Sequence, residues 1–313
     1  MQSAVIPTAS RGPEASVGAH IVVLSNPTAG RGRARRAAAA VADRLRGRGH
    51  DVRVVAGDSA AATRMLAVQA LEAAPSLLVV VGGDGTLSCV LDILVDHDVP
   101  MVLIPAGTGN DLARSLRVPL DPIAAADVAL DGVPRRVDVG EVRSAEGVRP
   151  FVTVAALGFD ARVSDRTDRL RWPRGPLRYY LALVIELLRL RPVQLDVAID
   201  GEPVERMPST LIAVGNTASY GGGMPICADA EPDDGALDVV RVRPLGRLRL
   251  LRLFPQLLRG RHLGLREVTH RRAYSVYVSA PDLLVYADGE RVARDSCTIG
   301  IRPAALTVLV PRV

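Results

Sequence analysis

The fold of this chain is decided by the stretch Leu77-Leu78-Val79-Val80-Val81-Gly82-Gly83-Asp84-Gly85-Thr86. An apolar run bounded by turn residues is typical of a strand buried on both faces of a parallel sheet. Open α/β sheets bind their ligands at the carboxyl ends of such strands. Glycines there let a ligand approach the backbone, whose N–H groups can bind phosphate oxygens. The stretch therefore predicts a phosphate-binding loop at the end of a central strand.

The composition is that of a globular protein with one large domain or two smaller ones. The chain has 313 residues, 48% of them apolar, and no apolar run approaches the roughly 20 residues that span a bilayer. Residues 1–19 are rich in Ala, Ser, Pro and Gly without signal-peptide patterning, so we expect a flexible segment. Cys89, Cys227 and Cys297 are far apart and odd in number, which predicts reduced thiols and a cytoplasmic protein.

The charge pattern excludes sites that depend on lysine and favours anionic substrates or partners. The formal net charge is +5, and every basic side chain is arginine, because the sequence contains no lysine. Absence of lysine excludes a Walker A loop and Schiff-base catalysis. Excess arginine suits phosphate substrates, anionic membranes or nucleic acid. Aromatic residues make up only 3% and do not interleave with a basic stripe, so we expect no nucleic-acid partner.

The first part of the chain alternates between strand and helix patterns. We predict strands at residues 21–27, 51–56, 77–81 and 101–105, and helices at 31–48, 60–73, 86–97, just after 111, and at 123–130. Such alternation favours right-handed βαβ units and a parallel, Rossmann-like sheet.

After Gly132 short strand patterns dominate. We predict strands at residues 136–142, 151–156, 195–200, 210–214, 237–242, 274–278, 283–287 and 305–310, and helices at 177–190 and 245–258. This pattern indicates an antiparallel sheet or sandwich. We therefore predict a nucleotide-binding α/β domain at 20–139 and a β-rich domain at 140–313, with the option that the last strand returns to the first domain.

Three glycine-containing loops, at residues 26–32, 82–86 and 105–111, follow predicted strands of the α/β domain. Each alone is most simply an ordinary turn. Together they meet at one edge of a parallel sheet, which predicts a nucleotide site. The first loop precedes an arginine-rich helix, whose N-terminal N–H groups suit a phosphate.

Several carboxylates have a structural and a functional interpretation. Asp84 is a turn residue or a ligand of Mg²⁺, directly or through water. Asp111 is most simply the cap of a helix that begins at Leu112. Asp234 lies in an acidic turn, and Asp288-Gly289 predicts a hairpin with a type I′ turn.

These motifs together resemble the diacylglycerol kinase catalytic family, in particular its soluble bacterial lipid-kinase branch within the diacylglycerol and sphingosine kinase superfamily. The resemblance covers nearly all of the chain after His20. It rests on Asn26-Pro27-Thr28-Ala29-Gly30, Gly82-Gly83-Asp84-Gly85-Thr86, Pro105-Ala106-Gly107-Thr108-Gly109-Asn110-Asp111, Val137-Asp138-Val139-Gly140, Gly158-Phe159-Asp160, Gly221-Gly222-Gly223, Asp234-Gly235 and Asp288-Gly289-Glu290.

The resemblance implies an ATP site in a cleft between the α/β domain and a lipid-binding β-rich domain. The implied nucleotide contacts are Asn26, Pro27, Thr28, Ala29, Gly30, Arg31, Gly82, Gly83, Asp84, Gly85, Thr86, Thr108, Asn110 and Glu290. Asp288 is the implied general base, and Asp84 is implied to organise the catalytic Mg²⁺. A structural Mg²⁺ is implied at Asp234, with backbone oxygens near Glu231 and Ala236.

Two positions depart from some relatives. Arg31 stands where a basic residue follows the first loop, and arginine can hold phosphate with two hydrogen bonds. Val55 stands where some relatives carry threonine, so one hydrogen bond is expected to be missing.

The resemblance implies transfer of phosphate from ATP to the hydroxyl of diacylglycerol, giving phosphatidic acid. The alternatives are a kinase for sphingoid bases or ceramide and a nucleotide-binding regulator without turnover. Residues 245–263 are basic and strongly apolar, which suits either a peripheral contact with the inner face of the membrane or a core-packed helix interrupted near Pro255. A homodimer is left open.

Overall fold

The computed structural model describes residues 20–27, 29–173 and 176–312, without the side chains of Arg31 and Pro176. The predicted flexible segment 1–19, Thr28 and the side chain of Arg31 therefore lie outside the described residues.

The first half of the chain is a parallel sheet with helices between its strands. Its strands follow the order β4-β3-β1-β2, and all neighbours are parallel. The strands are β1 (His20–Ser25), β2 (Asp51–Ala56), β3 (Leu77–Gly82) and β4 (Met101–Pro105). A 3-10 turn (Ala29–Gly32) precedes the helices α1 (Arg33–Arg46), α2 (Ala60–Glu72), α3 (Asp84–Ser88), α4 (Leu91–Val95), α5 (Asp111–Ser115) and α6 (Pro122–Asp131).

Burial and capping explain why these residues form these elements. All six residues of β3 are buried, as expected for a central strand with both faces covered. Helix α6 begins where the Asp121 carboxylate accepts from the backbone N–H groups of Ile123 and Ala124, with Pro122 in the first turn. The Ser59 hydroxyl caps α2 in the same way. Because β1, β3 and β4 are parallel neighbours, their carboxyl ends lie at one edge of the sheet.

The second half is dominated by antiparallel pairing. Its strands are β5 (Val133–Ser144), β6 (Gly147–Phe151), β7 (Val154–Gly158), β8 (Val193–Ile199), β9 (Glu205–Ser209), β10 (Leu211–Gly215), β11 (Leu237–Val242), β12 (Val268–Ala273), β13 (Ser275–Ala287) and β14 (Glu290–Val310). Its helices are α7 (Phe159–Arg169), α8 (Pro176–Leu188) and α9 (Arg247–Leu257). The main path runs β12-β11-β10-β7-β13-β14, with β8 and β9 attached at β13, and β5 and β6 at β14. The predicted fold class, a parallel α/β domain followed by a β-rich domain, is confirmed.

Two long strands connect the halves. The far end of β14 pairs in parallel with β4 through Val308 and Met101. Strand β5 pairs with β14 along nearly its whole length, from Val133 opposite Val310 to Arg143 opposite Thr298. Both strands contribute side chains to the core of the α/β half and to the core of the β-rich half. The predicted domain boundary at residue 139 falls inside β5 and not in a loop. It stays a prediction.

Three local features differ from the sequence prediction. The predicted strand 151–156 is two strands, β6 and β7, separated at Val152 and Thr153. The predicted helix 86–97 is divided into α3 and α4 around Cys89. Helix α9 continues through Pro255 to Leu257, and its leucines at 250, 253 and 257 are buried in a third apolar core. No helix within the described residues is long and apolar enough to cross a membrane.

Candidate active site

The three glycine loops of the α/β half touch one another at the carboxyl ends of β1, β3 and β4. A Cβ atom added at Gly30 would overlap the carbonyl oxygen of Ala106. One added at Gly83 would lie 2.8 Å from the Cα of Gly107. The loops are therefore packed backbone against backbone, and any larger residue at Gly30, Gly83 or Gly107 would separate them.

Arg33 ties two of these loops together. Its Nη2 donates to the carbonyl of Gly107 at 2.8 Å, and its Nε donates to the carbonyl of Gly30 at 3.1 Å. No sequence signal distinguishes this role, because Arg33 is one of several arginines at the start of α1. Its guanidinium fixes the shape of the edge that is predicted to receive the nucleotide.

The same edge has an open side. A Cβ atom at Gly85 would meet nothing within 4 Å, and the side chain of Thr108 is exposed. Thr86 is buried against Gly82 instead. Of these predicted nucleotide contacts, Gly85 and Thr108 thus border free space, whereas Thr86 supports the loop from behind.

The remaining predicted contacts of the first and third loops have structural partners of their own. The Ala29 N–H donates to the carbonyl of Asn26 at 3.0 Å, closing the turn that contains Pro27. Asn110 adopts a left-handed backbone (φ 53°), and its Oδ1 accepts from the N–H of Gly107 at 3.0 Å. These bonds shape the loops, and nucleotide contact by these residues stays a prediction.

Asp84 follows β3 and faces the next loop. Its Oδ1 accepts from the backbone N–H of Asp111 at 2.8 Å. Burial raises the pKa of Asp84, and the nearby charge of Asp111 raises it further. A Cβ atom added at Gly109 would lie 2.7 Å from Oδ2 of Asp84 and 3.1 Å from Oδ2 of Asp111. The two carboxylates therefore flank one glycine.

Asp111 does not cap its helix, so the simple interpretation of its sequence position is wrong. Helix α5 begins at Asp111 itself, and its carboxylate accepts from the N–H groups of Gly222, at 2.9 Å, and Gly223, at 2.6 Å. Both glycines belong to the β-rich half and have positive φ angles. Asp111 thus fastens the two halves together beside Asp84, a role that its position before a helix concealed.

Asp288 and Gly289 form the predicted hairpin turn. Ala287 pairs with Glu290, and the two residues between them have φ angles of 49° and 83°. Both central residues of a type I′ turn require positive φ. The predicted hairpin between β13 and β14 is therefore confirmed.

The Asp288 carboxylate is buried and held on both oxygens. Its Oδ2 accepts from the N–H of Val152, and its Oδ1 accepts from the N–H and the hydroxyl of Thr153, at 2.9, 2.9 and 2.5 Å. Burial raises its pKa to about 6, although these three hydrogen bonds act in the opposite direction. This is why the predicted strand 151–156 is broken: its N–H groups at 152 and 153 turn toward Asp288.

Asn216 holds this break in place. Its Nδ2 donates to the carbonyl of Val152 at 3.0 Å and to that of Asp138 at 2.9 Å, while its own N–H donates to the carbonyl of Thr153 at 2.8 Å. Thr153 and Asn216 are supporting residues that the sequence analysis missed. Only a contact between positions far apart in the chain could have identified them.

Electrostatic effects show that the hairpin faces the glycine loops. The charge of Asp84 contributes to the raised pKa of Asp288. The charge of Glu290 contributes to the raised pKa of Cys89, which follows α3. Glu290 itself has a raised pKa, through desolvation first and then through the charge of Asp168. The structure therefore places Asp288 within electrostatic range of Asp84, and Glu290 within range of Cys89, where the two halves meet.

The turn at Asp234 has a different environment. The Asp234 carboxylate forms an ion pair with Arg272 at 2.6 Å, and its Oδ1 accepts from the N–H of Ala236 at 3.1 Å. The neighbouring Asp233 is paired with Arg135. Within the described residues no three acidic, histidine or cysteine side chains are grouped as metal ligands.

These observations test where a divalent cation fits. At Asp234 the carboxylate already faces a guanidinium, so the arrangement does not favour a second cation, and ligation by Asp234, Glu231 and Ala236 stays a prediction. At Asp84 and Asp111 two carboxylates flank Gly109, beside the predicted phosphate loop. Hard cations on phosphates prefer carboxylate oxygens, so this second position fits the chemistry.

A further buried carboxyl lies at the end of β7. Burial raises the pKa of Asp160 to about 6, and an interaction with the Tyr220 hydroxyl opposes the shift. In the described part of the chain its Oδ2 has no hydrogen-bond partner. Burial also raises the pKa of Tyr220, with the charge of Asp160 adding to the effect. This cluster lies outside the predicted site.

Comparisons with known proteins identify the family of the chain. Residues 20–142 match the family model of the diacylglycerol kinase catalytic domain, and residues 153–310 match that of the YegS C-terminal NAD kinase beta sandwich-like domain. The diacylglycerol kinase of Mycobacterium tuberculosis (strain ATCC 25618 / H37Rv) is 43% identical over 294 residues, 93% of this chain and 95% of the relative. That of Bacillus subtilis (strain 168) is 28% identical over 277 residues, 86% of this chain and 88% of the relative.

A solved structure supports the fold independently. The crystal structure of a diacylglycerol kinase from Bacillus anthracis str. Sterne superposes with a TM-score of 0.70 at 19% identity, covering 94% of this chain and 97% of that one. The Mycobacterium tuberculosis relative covers 93% of this chain, so the similarity extends over both halves. This protein therefore belongs to the diacylglycerol kinase family and is a kinase that transfers phosphate to a hydroxyl group.

Proposed function

We propose that this protein is an ATP-dependent lipid kinase that phosphorylates the hydroxyl of diacylglycerol to give phosphatidic acid. The observation that carries the proposal is the position of Asp288, a buried carboxylate with a pKa of about 6 that faces the glycine loop of Asp84. A general base is most effective when its pKa lies near the working pH. Asp288 meets that requirement beside a loop suited to phosphates.

Asp288 acts on the acceptor hydroxyl. Its carboxylate receives the proton as the hydroxyl oxygen bonds to the terminal phosphorus of ATP, while the bond from that phosphorus to the bridging oxygen breaks and ADP leaves. The N–H groups of Val152 and Thr153 and the Thr153 hydroxyl fix the orientation of the carboxylate. Because phosphate transfer requires positioning and charge neutralisation more than covalent chemistry, this fixed geometry supplies much of what the reaction needs.

The glycine loops hold the donor. Free space beside Gly85 and Thr108 leaves room for phosphates at the edge that Arg33 and Asn110 keep in shape. Asp84 and Asp111 would hold Mg²⁺, which when bound neutralises charge on the phosphate oxygens. Asp111 also keeps Gly222 and Gly223 of the β-rich half next to this edge.

The choice of diacylglycerol follows the names of the relatives, which are diacylglycerol kinases across 28–43% identity. A kinase for sphingoid bases or ceramide would use the same base and loops. A regulator without turnover is disfavoured, because the chain belongs to a family of kinases.

The test is transfer of labelled phosphate from ATP to a panel of diacylglycerol, sphingosine and ceramide in mixed micelles. We expect wild-type protein to label diacylglycerol, and Asp288→Asn to label it far more slowly. Asp282→Asn is the matched control, because Asp282 lies on the same strand, β13, and is exposed. Labelling of another acceptor alone, or full activity of Asp288→Asn, would contradict the proposal.

A lipid substrate has to be reached from a bilayer, and α8 has the side chains for this contact. Leu177, Tyr180, Val184 and Leu188 are all more than half exposed and recur at helical spacing. Helix α9 buries one row of leucines and exposes Leu248 and Leu251, and Leu258 directly after the helix is also exposed. We expect peripheral contact with the inner face of the membrane through these side chains, and weaker flotation with liposomes after Leu177→Ser and Val184→Ser than after Met65→Ser on α2.

A further inference from the structure

A cavity of about 540 Å³ lies outside the cleft, between α7, α8 and the start of α9. Arginines dominate its lining, and the other lining residues are Asp165, Glu186 and Leu188. The arginines are Arg162, Arg166, Arg189, Arg191 and Arg247. The volume is within the range of small-molecule sites, roughly 300–1,000 Å³.

The positive charge of this arginine cavity is not balanced by the protein. Both lining carboxylates are already engaged: Glu186 is buried and pairs with Arg166, and Asp165 pairs with Arg169 at 2.9 Å. Across the part of the chain that the structure describes, the four other lining arginines have no carboxylate partner. Like charges gathered around one cavity repel one another, so an anion would stabilise the arrangement.

Helix dipoles do not explain the whole cluster. Arg189 and Arg191 follow the end of α8, where a cation interacts favourably with the helix dipole. Arg247 is the first residue of α9, where a cation is unfavourable, and neither an acidic residue in the first turn nor a side-chain cap from Gly246 compensates. Arg162 lies in the N-terminal half of α7, where the dipole does not favour a cation either.

We propose that the arginine cavity binds a phosphate monoester. Guanidinium groups bind phosphate oxygens with paired hydrogen bonds, and a doubly charged phosphate needs several of them. The lining arginines come from α7, from the residues after α8 and from the start of α9, so guanidinium groups from three parts of the chain border the same space. The phosphate can belong to a lipid or to a free small molecule, and Leu188 at the rim is 63% exposed.

The arginine cavity is separate from the cleft but only one helix away. Asp165 lines the cavity, and Asp168 on the next turn of α7 accepts from the Tyr286 hydroxyl at 3.1 Å. Tyr286 lies two residues before Asp288. None of the lining residues belongs to the glycine loops or to the Asp288 hairpin. Substitutions in the arginine cavity therefore leave the residues of the candidate active site in place.

The proposal is tested on the full chain without nucleotide. Calorimetric titration with glycerol 3-phosphate measures binding of a free phosphate monoester, and sedimentation with phosphatidylcholine vesicles, with and without phosphatidic acid, measures binding of a lipid one. We expect binding in at least one arm, weakened about tenfold or more in Arg189→Gln/Arg191→Gln. The arm with tighter binding identifies the source of the phosphate.

The matched control is Arg252→Gln/Arg259→Gln, which removes the same charge at exposed positions of α9 and of the residues after it, outside the cavity lining. We expect its affinity to stay within about twofold of wild type, with all proteins melting alike. Absence of binding to both probes, or equal weakening in the control, would overturn the proposal.

Discussion

Two Asp-Gly turns of the chain, Asp288-Gly289 and Asp234-Gly235, look alike in sequence and behave differently in the structure. Asp288 is 9% exposed, accepts three hydrogen bonds and has no guanidinium partner among the described residues. Asp234 is exposed and pairs with Arg272. Burial without a cationic partner raises the pKa of a carboxyl group toward the range that suits a general base, as at Asp288. The surroundings, not the dipeptide, therefore distinguish a candidate base from a structural turn.

Removal of each carboxylate charge in turn tests whether the two turns differ in function. We expect Asp288→Asn to lower kcat about 10²–10⁴-fold, the usual contribution of a general base. We expect Asp234→Asn to change kcat less than about threefold, because its carboxylate is engaged with Arg272 and does not act on the substrate. Steady-state phosphorylation of diacylglycerol, with thermal melting as a check on folding, measures both. Equal losses would contradict the distinction and favour the predicted metal role of Asp234.

The Asp234 turn is held in place by a second carboxylate, that of Asp138. Asp138 is buried and accepts from the N–H of Gly235 and of Ala304, both at 2.7 Å. Asp138→Ala leaves two donors without an acceptor, so we expect the free energy of unfolding to fall by about 2–3 kcal/mol. Urea denaturation measures the change. Asp58→Ala, at an exposed carboxylate, serves as control, and a loss no larger than in that variant would refute the bracing role of Asp138.

The Thr153 hydroxyl offers a way to change the pKa of Asp288 without removing its carboxylate. The Thr153 hydroxyl stabilises the charged form of Asp288 and so lowers its pKa. Thr153→Val should therefore raise the pKa and move the acid limb of kcat/KM from about pH 6 to higher pH. A hydrogen bond to a charged group contributes about 1.5–3 kcal/mol, and a shift of about one pH unit corresponds to 1.36 kcal/mol. Compared with wild type, Thr153→Val should therefore lose activity at pH 6 and keep it at pH 8. Thr153→Ser should keep the wild-type profile, whereas an unchanged profile in Thr153→Val would argue against Asp288 as the base.

The smallest effect is expected at the ion pair of the Asp234 turn. Both side chains are partly exposed, 55% for Arg272 and 24% for Asp234. Such pairs contribute about 0–1 kcal/mol, so Arg272→Gln should change the free energy of unfolding by less than about 1 kcal/mol. Urea denaturation at low and high salt checks this value. A loss above about 2 kcal/mol would mean that Asp234 depends on its partner much as Asp288 depends on Thr153.

The fold was predictable from the sequence because its signals are local. The apolar run 77–81 and the alternation around it predicted the parallel sheet, and Asp288-Gly289 predicted the hairpin. Each of these depends on residues within a few positions of one another. The edge formed by the three glycine loops was predictable on the same grounds, since parallel strands end on one side.

The support of the site was not predictable, because it depends on contacts across the chain. Thr153 lies 135 residues from Asp288, and Asp111 lies 111 residues from Gly222. Strand propensity continued through residues 151–156, yet the backbone N–H groups at 152 and 153 serve a carboxylate instead. Tertiary hydrogen bonding overrode the local preference at the position that holds the Asp288 carboxylate, the proposed base.

The pairing of β5 with β14 has a mechanical consequence. Strands β5 and β14 form a two-stranded ribbon that contributes to both cores, so the halves are not joined there by a flexible linker. Widening of the cleft therefore requires this ribbon to twist. The register of this ribbon is interrupted between Arg302 and Leu306, where Asp138 accepts from the N–H of Ala304. Because loss of structure in one half removes strand partners from the other, we expect the two halves to unfold in one transition.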